Sequence, residues 1–255
     1  MKIAIAAASL ALASALVPAG SASAAISCVE ILDHRGDETP YSENTLPAYE
    51  SSFSQGFSVE TDMARDASGG YVMVHDRSLA RISNGTGYVD ERTTTYIRSL
   101  TTDTGEPAQI PLVSEAFDLL NNYPAATMLI EIKPWGGWSV RQLQNLDAVA
   151  TQYQVQDQVI WWSTNHTFLE KVESAMGADT TTAWKTSGLP SAAVVDPVDY
   201  VAVTPNVLTA AYIDSMHNSG TLVLARGTRP DEVAKMSTMG ADLALTSDAE
   251  RVPGC

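Results

Sequence analysis

The sequence predicts an α/β protein built on a closed barrel of parallel strands, and three observations predict it. Short apolar runs with β-branched residues alternate with segments of helical periodicity. Polar and charged residues collect at the C-terminal ends of the early runs, where a parallel barrel gathers its chemistry. The composition is that of one globular unit: 255 residues, 45% hydrophobic and 18% charged, with no tandem repeat, linker or low-complexity tract.

The elements follow in order. Lys2, the apolar run 3–17, then Pro18, Gly20 and small residues to Ala25 have the three-part layout of a secretory signal peptide. Ala22-Ser23-Ala24 fits the small-x-small rule, so residues 1–24 are expected to be a leader and 25–255 a single exported barrel domain. The apolar run is too short for a membrane span, and no later segment has the length for one, so a secreted, soluble protein is expected. Candidate strands are 28–33, 58–63, 71–75, 127–132, 158–162, 181–184, 200–204, 221–225 and 242–246. An eight-stranded barrel leaves one of these over, and the weak runs at 181 and 200 are the expected outliers. Helical spacing covers 45–55, with Asn44 as a possible cap, and 112–121, 140–153, 167–176, 208–219 and 231–239. Residues 79–110 break the pattern and are too long for an ordinary connection, which predicts a small insertion after the third strand, packed over one mouth of the barrel. Cys28 and Cys255 stand at the two ends of the mature chain. In an oxidising compartment they are expected to form a disulfide, provided the last element of the fold returns beside the first; otherwise they are two unrelated thiols.

Thirty acidic against fifteen basic side chains, a formal charge of −15, argue against nucleic acid or an anionic membrane as partner. An anionic substrate must be attracted locally. The first strand ends in Asp33-His34-Arg35-Gly36, the second carries Glu60 and Asp62, the third ends in His75-Asp76, and the fourth carries Glu131 and Lys133. Alternate strand residues face the same way, so Glu60 projects with Asp62 and Glu131 with Lys133. Three converging carboxylates without a cysteine are hard oxygen ligands, suited to one divalent cation, Ca²⁺ or Mg²⁺. Two histidines beside that ion could exchange protons near neutral pH, and Arg35 and Lys133 offer donors to phosphate oxygens. Singly, each residue has an ordinary structural explanation. Their joint placement at four successive strand ends is what points to hydrolysis of a small phosphodiester.

These motifs resemble those of glycerophosphodiester phosphodiesterases. His34-Arg35-Gly36, Glu43-Asn44-Thr45, Glu60-Thr61-Asp62, His75-Asp76 and Glu131-Ile132-Lys133 occur in the family's order, as do Gly240-Ala241-Asp242 and Thr246-Ser247-Asp248 near the end. The resemblance implies a TIM-type (β/α)8 barrel and cleavage of glycerophosphodiesters to glycerol 3-phosphate and an alcohol. It assigns Glu60, Asp62 and Glu131 to the metal, His34 and His75 as general base and general acid, and Arg35 and Lys133 to the phosphate. Glu43 corresponds to an acidic position near the metal, with Asn44 beside it.

The departure is on a late strand, where the family often has a Trp-Thr-Val-Asn type segment and this chain reads Thr221-Leu222-Val223-Leu224-Ala225-Arg226-Gly227. Arg226 adds a charge there, and Trp135 or Trp184 is a possible apolar wall for the alcohol pocket. His166 and His217 are expected on the surface of the outer helices. Related enzymes that keep a similar histidine pair include metal-free phosphatidylinositol phospholipases C, which the three carboxylates oppose. Phospholipase D-like enzymes acting on lysophospholipid or sphingomyelin are another alternative, and a non-catalytic secreted binding module is the competing class. Nothing in the sequence requires more than a monomer.

Overall fold

The computed structural model describes residues 29–177 and 179–253. Nine strands occur in chain order: β1 (Glu30–His34), β2 (Ser58–Arg65), β3 (Tyr71–Met73), β4 (Met128–Ile132), β5 (Val159–Ser163), β6 (Thr182–Lys185), β7 (Tyr200–Val203), β8 (Leu222–Arg226) and β9 (Leu243–Thr246). All but β3 are parallel, and β1 pairs with both β2 and β9, which closes an eight-stranded barrel. The helices are α1 (Leu46–Ser54), α2 (Thr94–Arg98), α3 (Val113–Leu120), α4 (Val140–Tyr153), α5 (His166–Met176), α6 (Ala192–Val195), α7 (Ala210–His217) and α8 (Val233–Met239). No helix among the described residues is long and apolar enough to cross a membrane.

The surplus strand is not one of the weak late runs. Both of those, β6 and β7, belong to the barrel, and the odd strand is β3, antiparallel to β2 with Met73 opposite Met63. The reason is the length of the link between them. Residues 66–70 are too few for the crossover that parallel pairing needs, so the chain makes a hairpin. Asp66 closes its turn, the carboxylate accepting from the backbone N–H of Ser68 and of Gly70 at 2.8 Å each.

Alternation along the strands divides the apolar residues into two layers. Leu32, Leu129, Ile160, Trp162, Ala183, Ala202, Leu224, Leu243 and Leu245 point inward and fill the barrel as one buried cluster. Intervening residues such as Val59, Ile130 and Trp161 on one side, or Val201, Val223 and Ala244 on the other, point outward against the helices. The helix ends follow local chemistry. Ser139 and Gln142 form a reciprocal capping box at the start of α4, and Gln154, in the left-handed region at φ 58°, ends it. Helix α7 begins only after Thr209, whose hydroxyl accepts from Tyr212 N–H. A 3₁₀ turn, Pro230–Glu232, precedes α8. The insertion has its own small core, in which Leu79, Ile82, Val89, Ile97, Leu100 and Ile110 pack on Ala64, Val72 and Val74 of the β2–β3 arm. The leader assigned to residues 1–24, Cys28 and Cys255 lie outside the described residues.

Candidate active site

The inward register that fills the barrel also builds the site. Two residues beyond Leu32 the same face presents His34; beyond Leu129 it presents Glu131 and then Lys133; beyond Ala183, Leu224 and Leu245 it presents Lys185, Arg226 and Ser247. Strand β2 contributes Glu60 and Asp62. His75 arrives differently from the strand-end placement expected of it. Strand β2 runs on past the mouth, β3 returns beside it, and the Val74 N–H bonds the Asp62 carbonyl at 2.8 Å, which brings His75 down to the level of the carboxylates.

Glu60, Asp62 and Glu131 place one oxygen each within 4.8 Å of one another. That spacing suits a single hard cation with ligand distances of about 2.1–2.5 Å. Glu60 Oε2 is buried without a hydrogen-bond partner, a further sign that the donor set fits an ion. Lys133, almost fully buried, bridges the pair beside it, with Nζ 2.8 Å from Asp62 and 3.2 Å from Glu131. Lys185 holds the other Glu131 oxygen at 2.9 Å while lying 4.6 Å above the Trp162 ring. Arg35 reaches Glu43 at 3.1 Å and Asp62 at 3.4 Å. His34 Nε2 is 3.8 Å from Glu60, and its Nδ1 is 3.4 Å from the Ser247 hydroxyl. His75 Nδ1 is 2.7 Å from Asp76.

Asn44 is the hinge of this arrangement. It is not the cap of α1; that position is Thr45, and Asn44 sits one residue earlier in the left-handed region at φ 54°. There its carbonyl accepts from the Thr61 hydroxyl at 2.7 Å and from Asp62 N–H at 3.2 Å, while its amide donates to Asp62 at 3.1 Å. Gly36 serves the same turn. Its φ is +78°, and a Cβ would lie 2.8 Å from the Ala48 carbonyl carbon, so α1 can pack this close only against glycine.

Burial and like charge set the electrostatics. Burial pushes the Glu60 carboxyl well up, and Asp62 and Glu131 add to it. Burial also opposes the Asp62 anion, but Lys133, His75 and Arg35 together outweigh it and hold the group below its ordinary value. Burial lowers His34 to about 4, aided by Arg35, so its imidazole is neutral at pH 7. Glu43, although partly buried, is held down by Arg81 and Arg35.

Glu43 stands behind the carboxylate cluster, joined to Asp62 through Arg35. It joins Arg35 to Arg81, whose guanidinium also bonds Asp76 behind His75. Neither Trp135 nor Trp184 lines the mouth cavity: Trp135 packs on the insertion core, and Trp184, in the outward register of β6, packs among the outer residues. The indole that does line it is Trp162. His166 is half-buried at the start of α5, 3.1 Å from the Val195 carbonyl and edge-on to Trp184, whereas His217 is exposed and pairs with Asp242 at 2.9 Å. The sequence reading missed Lys185 and Arg81. Lys185 could have been found by counting two residues on from the inward Ala183; Arg81 lies in an insertion with no such register.

Residues 34–250 match the model of the Glycerophosphoryl diester phosphodiesterase family. The glycerophosphodiester phosphodiesterase of Caldanaerobacter subterraneus subsp. tengcongensis is 29% identical over 149 residues, 56% of this chain and 61% of that protein. That of Bacillus altitudinis is 26% identical over 148 residues, 54% of this chain and 58% of its own. The chain thus spans about three fifths of the length of these curated relatives. Among solved structures, a glycerophosphodiester phosphodiesterase from Agrobacterium tumefaciens str. C58 superposes with a TM-score of 0.75 at 18% identity, covering 88% of this chain and 98% of the other. An Oleispira antarctica phosphodiesterase, solved in complex with the product sn-glycerol-3-phosphate, superposes with a TM-score of 0.71 at 20% identity, covering 88% and 95%. These likenesses bear out the TIM-barrel fold, and the family match takes in every residue of the site: the chain belongs to the glycerophosphoryl diester phosphodiesterase family.

Proposed function

We propose that this protein hydrolyses small glycerophosphodiesters to glycerol 3-phosphate and an alcohol. The observation that carries this reading is the convergence of His34 and His75 on the Glu60, Asp62 and Glu131 cluster at one barrel mouth. A divalent cation held by those three carboxylates, Ca²⁺ or Mg²⁺, would supply positive charge against the non-bridging phosphate oxygens. The Arg35 guanidinium, anchored by Glu43 and Asp62, has donors left over for the same oxygens. Neutral His34 accepts the proton of the entering oxygen nucleophile, water or a neighbouring glycerol hydroxyl, as that oxygen bonds to phosphorus. The P–O bond to the alcohol breaks, and His75 gives the leaving oxygen its proton. Asp76, on Nδ1 of His75, fixes that ring, and Arg81 fixes Asp76. The assignment of base to His34 and acid to His75 follows the family motif, and the neutrality of His34 supports it.

The test is diester cleavage by the mature chain in Ca²⁺, in Mg²⁺ and in excess chelator, on glycerophosphocholine and glycerophosphoglycerol beside lysophosphatidylcholine and sphingomyelin. Cation-dependent release of glycerol 3-phosphate from the soluble diesters is expected, with a loss of about 10²–10⁴-fold in His34→Ala and in His75→Ala. Cleavage of only the acylated substrates would move the protein to the phospholipase D-like reading. No cleavage at all would leave a binding module. Export after Ala24 and a Cys28–Cys255 bridge belong to the same proposal. Val29, next to Cys28, and Val252, three residues before Cys255, pack into one apolar cluster, and the intact mass of the secreted chain, with and without reductant, tests both.

A further inference from the structure

Between the barrel wall and α1, behind the strand that carries Glu60 and Asp62, lies a chain of buried hydroxyl groups that the hydrolysis scheme leaves unused. Thr61 stands between those two carboxylates in β2, so its side chain takes the opposite register and meets α1. Its partner there is Tyr49, fully buried, whose ring packs in the apolar cluster shared by the barrel wall with α1, α3 and α4. The Tyr49 hydroxyl is 2.5 Å from Thr61 Oγ1 and 3.4 Å from Asn44 Oδ1. A ring that only packs has no use for a hydroxyl, and a buried hydroxyl is costly unless it is bonded.

The direction of the chain is fixed by the one group in it that can only accept. Asn44 Oδ1 takes the Thr61 hydroxyl proton at 2.7 Å and the Asp62 N–H at 3.2 Å. Having given its proton to Asn44, Thr61 accepts at the 2.5 Å contact, and Tyr49 is the donor there. Burial pushes the phenol well up, which keeps that proton in place. With donors around its oxygen, the Asn44 amide cannot turn over, because its NH2 group would then face the Thr61 and Asp62 hydrogens. Its nitrogen is thereby committed to Asp62 Oδ2 at 3.1 Å. A hydroxyl that accepts a hydrogen bond becomes a stronger donor, so the polarisation begun at Tyr49 is passed to Asn44 through Thr61. Lys133 grips the other Asp62 oxygen at 2.8 Å, and the carboxylate is held from both sides facing Glu60 and Glu131.

We propose that Tyr49 is a positioning residue for the cation site: through Thr61 and Asn44 it fixes the Asp62 carboxylate toward Glu60 and Glu131, and its hydroxyl thereby raises the affinity of the cluster for a divalent cation. This inference rests on the reading of those three carboxylates as cation ligands. Groups that hold a ligand from behind set about tenfold to a hundredfold of the affinity of a metal site. The Tyr49 hydroxyl bonds no carboxylate and no histidine, so its influence reaches the cluster only through Thr61 and Asn44.

Calorimetric titration of the mature chain with Ca²⁺ and with Mg²⁺, in the absence of substrate, tests this. Tyr49→Phe removes the hydroxyl and keeps the ring, and should weaken cation binding by about tenfold. Thr61→Val should weaken it at least as much, whereas Thr61→Ser, which keeps a hydroxyl, should recover most of the affinity. The double variant Tyr49→Phe with Thr61→Val should lose no more than Thr61→Val alone, because one hydroxyl acts through the other. Melting in excess chelator separates this from a purely structural role. A Tyr49→Phe protein that melts lower yet binds the cation as tightly as the wild type overturns the inference. Losses that simply add in the double variant overturn it as well, since the two hydroxyls would then act independently. Binding of neither cation by the wild type overturns the reading of the carboxylates as ligands, and the role of Tyr49 with it.

Discussion

Asp33 offers a test of the fold that needs no substrate. It stands next to His34 but in the opposite register, facing α1, and is only 2% exposed. Ser52 donates to Oδ2 at 2.7 Å, while Oδ1 has no partner. Burial raises its pKa from 3.8 to about 7, and the charges of Asp37 and Glu250 push it the same way. The folded value therefore lies above the unfolded one. Between those two values the native protein keeps a proton that the unfolded chain has released, so stability contributed by this group is full below the unfolded value and is lost as pH rises towards 7. At about 1.36 kcal/mol per pH unit over roughly three units, the ceiling is about 4 kcal/mol. Asp33→Asn removes the titration and keeps an oxygen for the Ser52 hydroxyl. Urea unfolding, followed by the fluorescence of the five tryptophans in excess chelator from pH 4.5 to 8, gives the free energy of both proteins. Every other titrating group is common to the two, so the difference isolates Asp33. The variant should gain on the wild type from pH 4.5 to about 7, by roughly 3 kcal/mol, and level off above that. A difference that stays constant across the range would refute the reasoning, because it would mean that Asp33 is ionised in the folded state throughout.

The site yields three further expectations. Lys133→Met leaves Asp62 and Glu131 without the buried cation between them and should cost about 3–5 kcal/mol in chelator; added Ca²⁺ or Mg²⁺ should then raise the melting temperature of the variant more than that of the wild type. Gly36→Ala combines a left-handed backbone with a Cβ 2.8 Å from the Ala48 carbonyl carbon, and urea unfolding should show a loss of about 2–5 kcal/mol. Arg81→Ala releases Asp76 and Glu43 together, so the loss should fall on kcat, by about tenfold to a hundredfold, with KM little changed; Arg81→Lys, which lacks the planar fork, should recover only part of it in the same steady-state assay.

What was legible in the sequence follows from periodicity. Period-two alternation places Glu60 with Asp62 and Glu131 with Lys133, and the structure keeps each pair on the inner face. Helix α4 was readable to both ends, because Ser139 and Gln142 encode its start locally. The surplus strand was misassigned because apolar character says nothing about direction. The length of the 66–70 link does, and it makes β3 a hairpin arm. Asn44 looked like a cap because Asn is a good one; its buried hydrogen bonds to Thr61 and Asp62 are long-range facts that no local pattern contains. Trp162 and Trp184 are alike in type, and only the register decides that one faces the cavity and the other the helices.

The register also explains how an acidic chain can hold an anionic substrate. At the mouth, Glu43, Asp62, Asp76 and Glu131 pair with Arg35, Arg81, Lys133 and Lys185, so much of the acidic charge there is offset although that of the whole chain is not. All four of these cations are committed to carboxylates within 4 Å, and Arg226, among the described residues, is not. A site whose charges are largely paired exerts little pull beyond the Debye length of about 8 Å at physiological salt. Substrate selection must therefore occur at contact, where the carboxylate cluster would hold a divalent cation and where Arg226, beside His34, is not committed to a carboxylate.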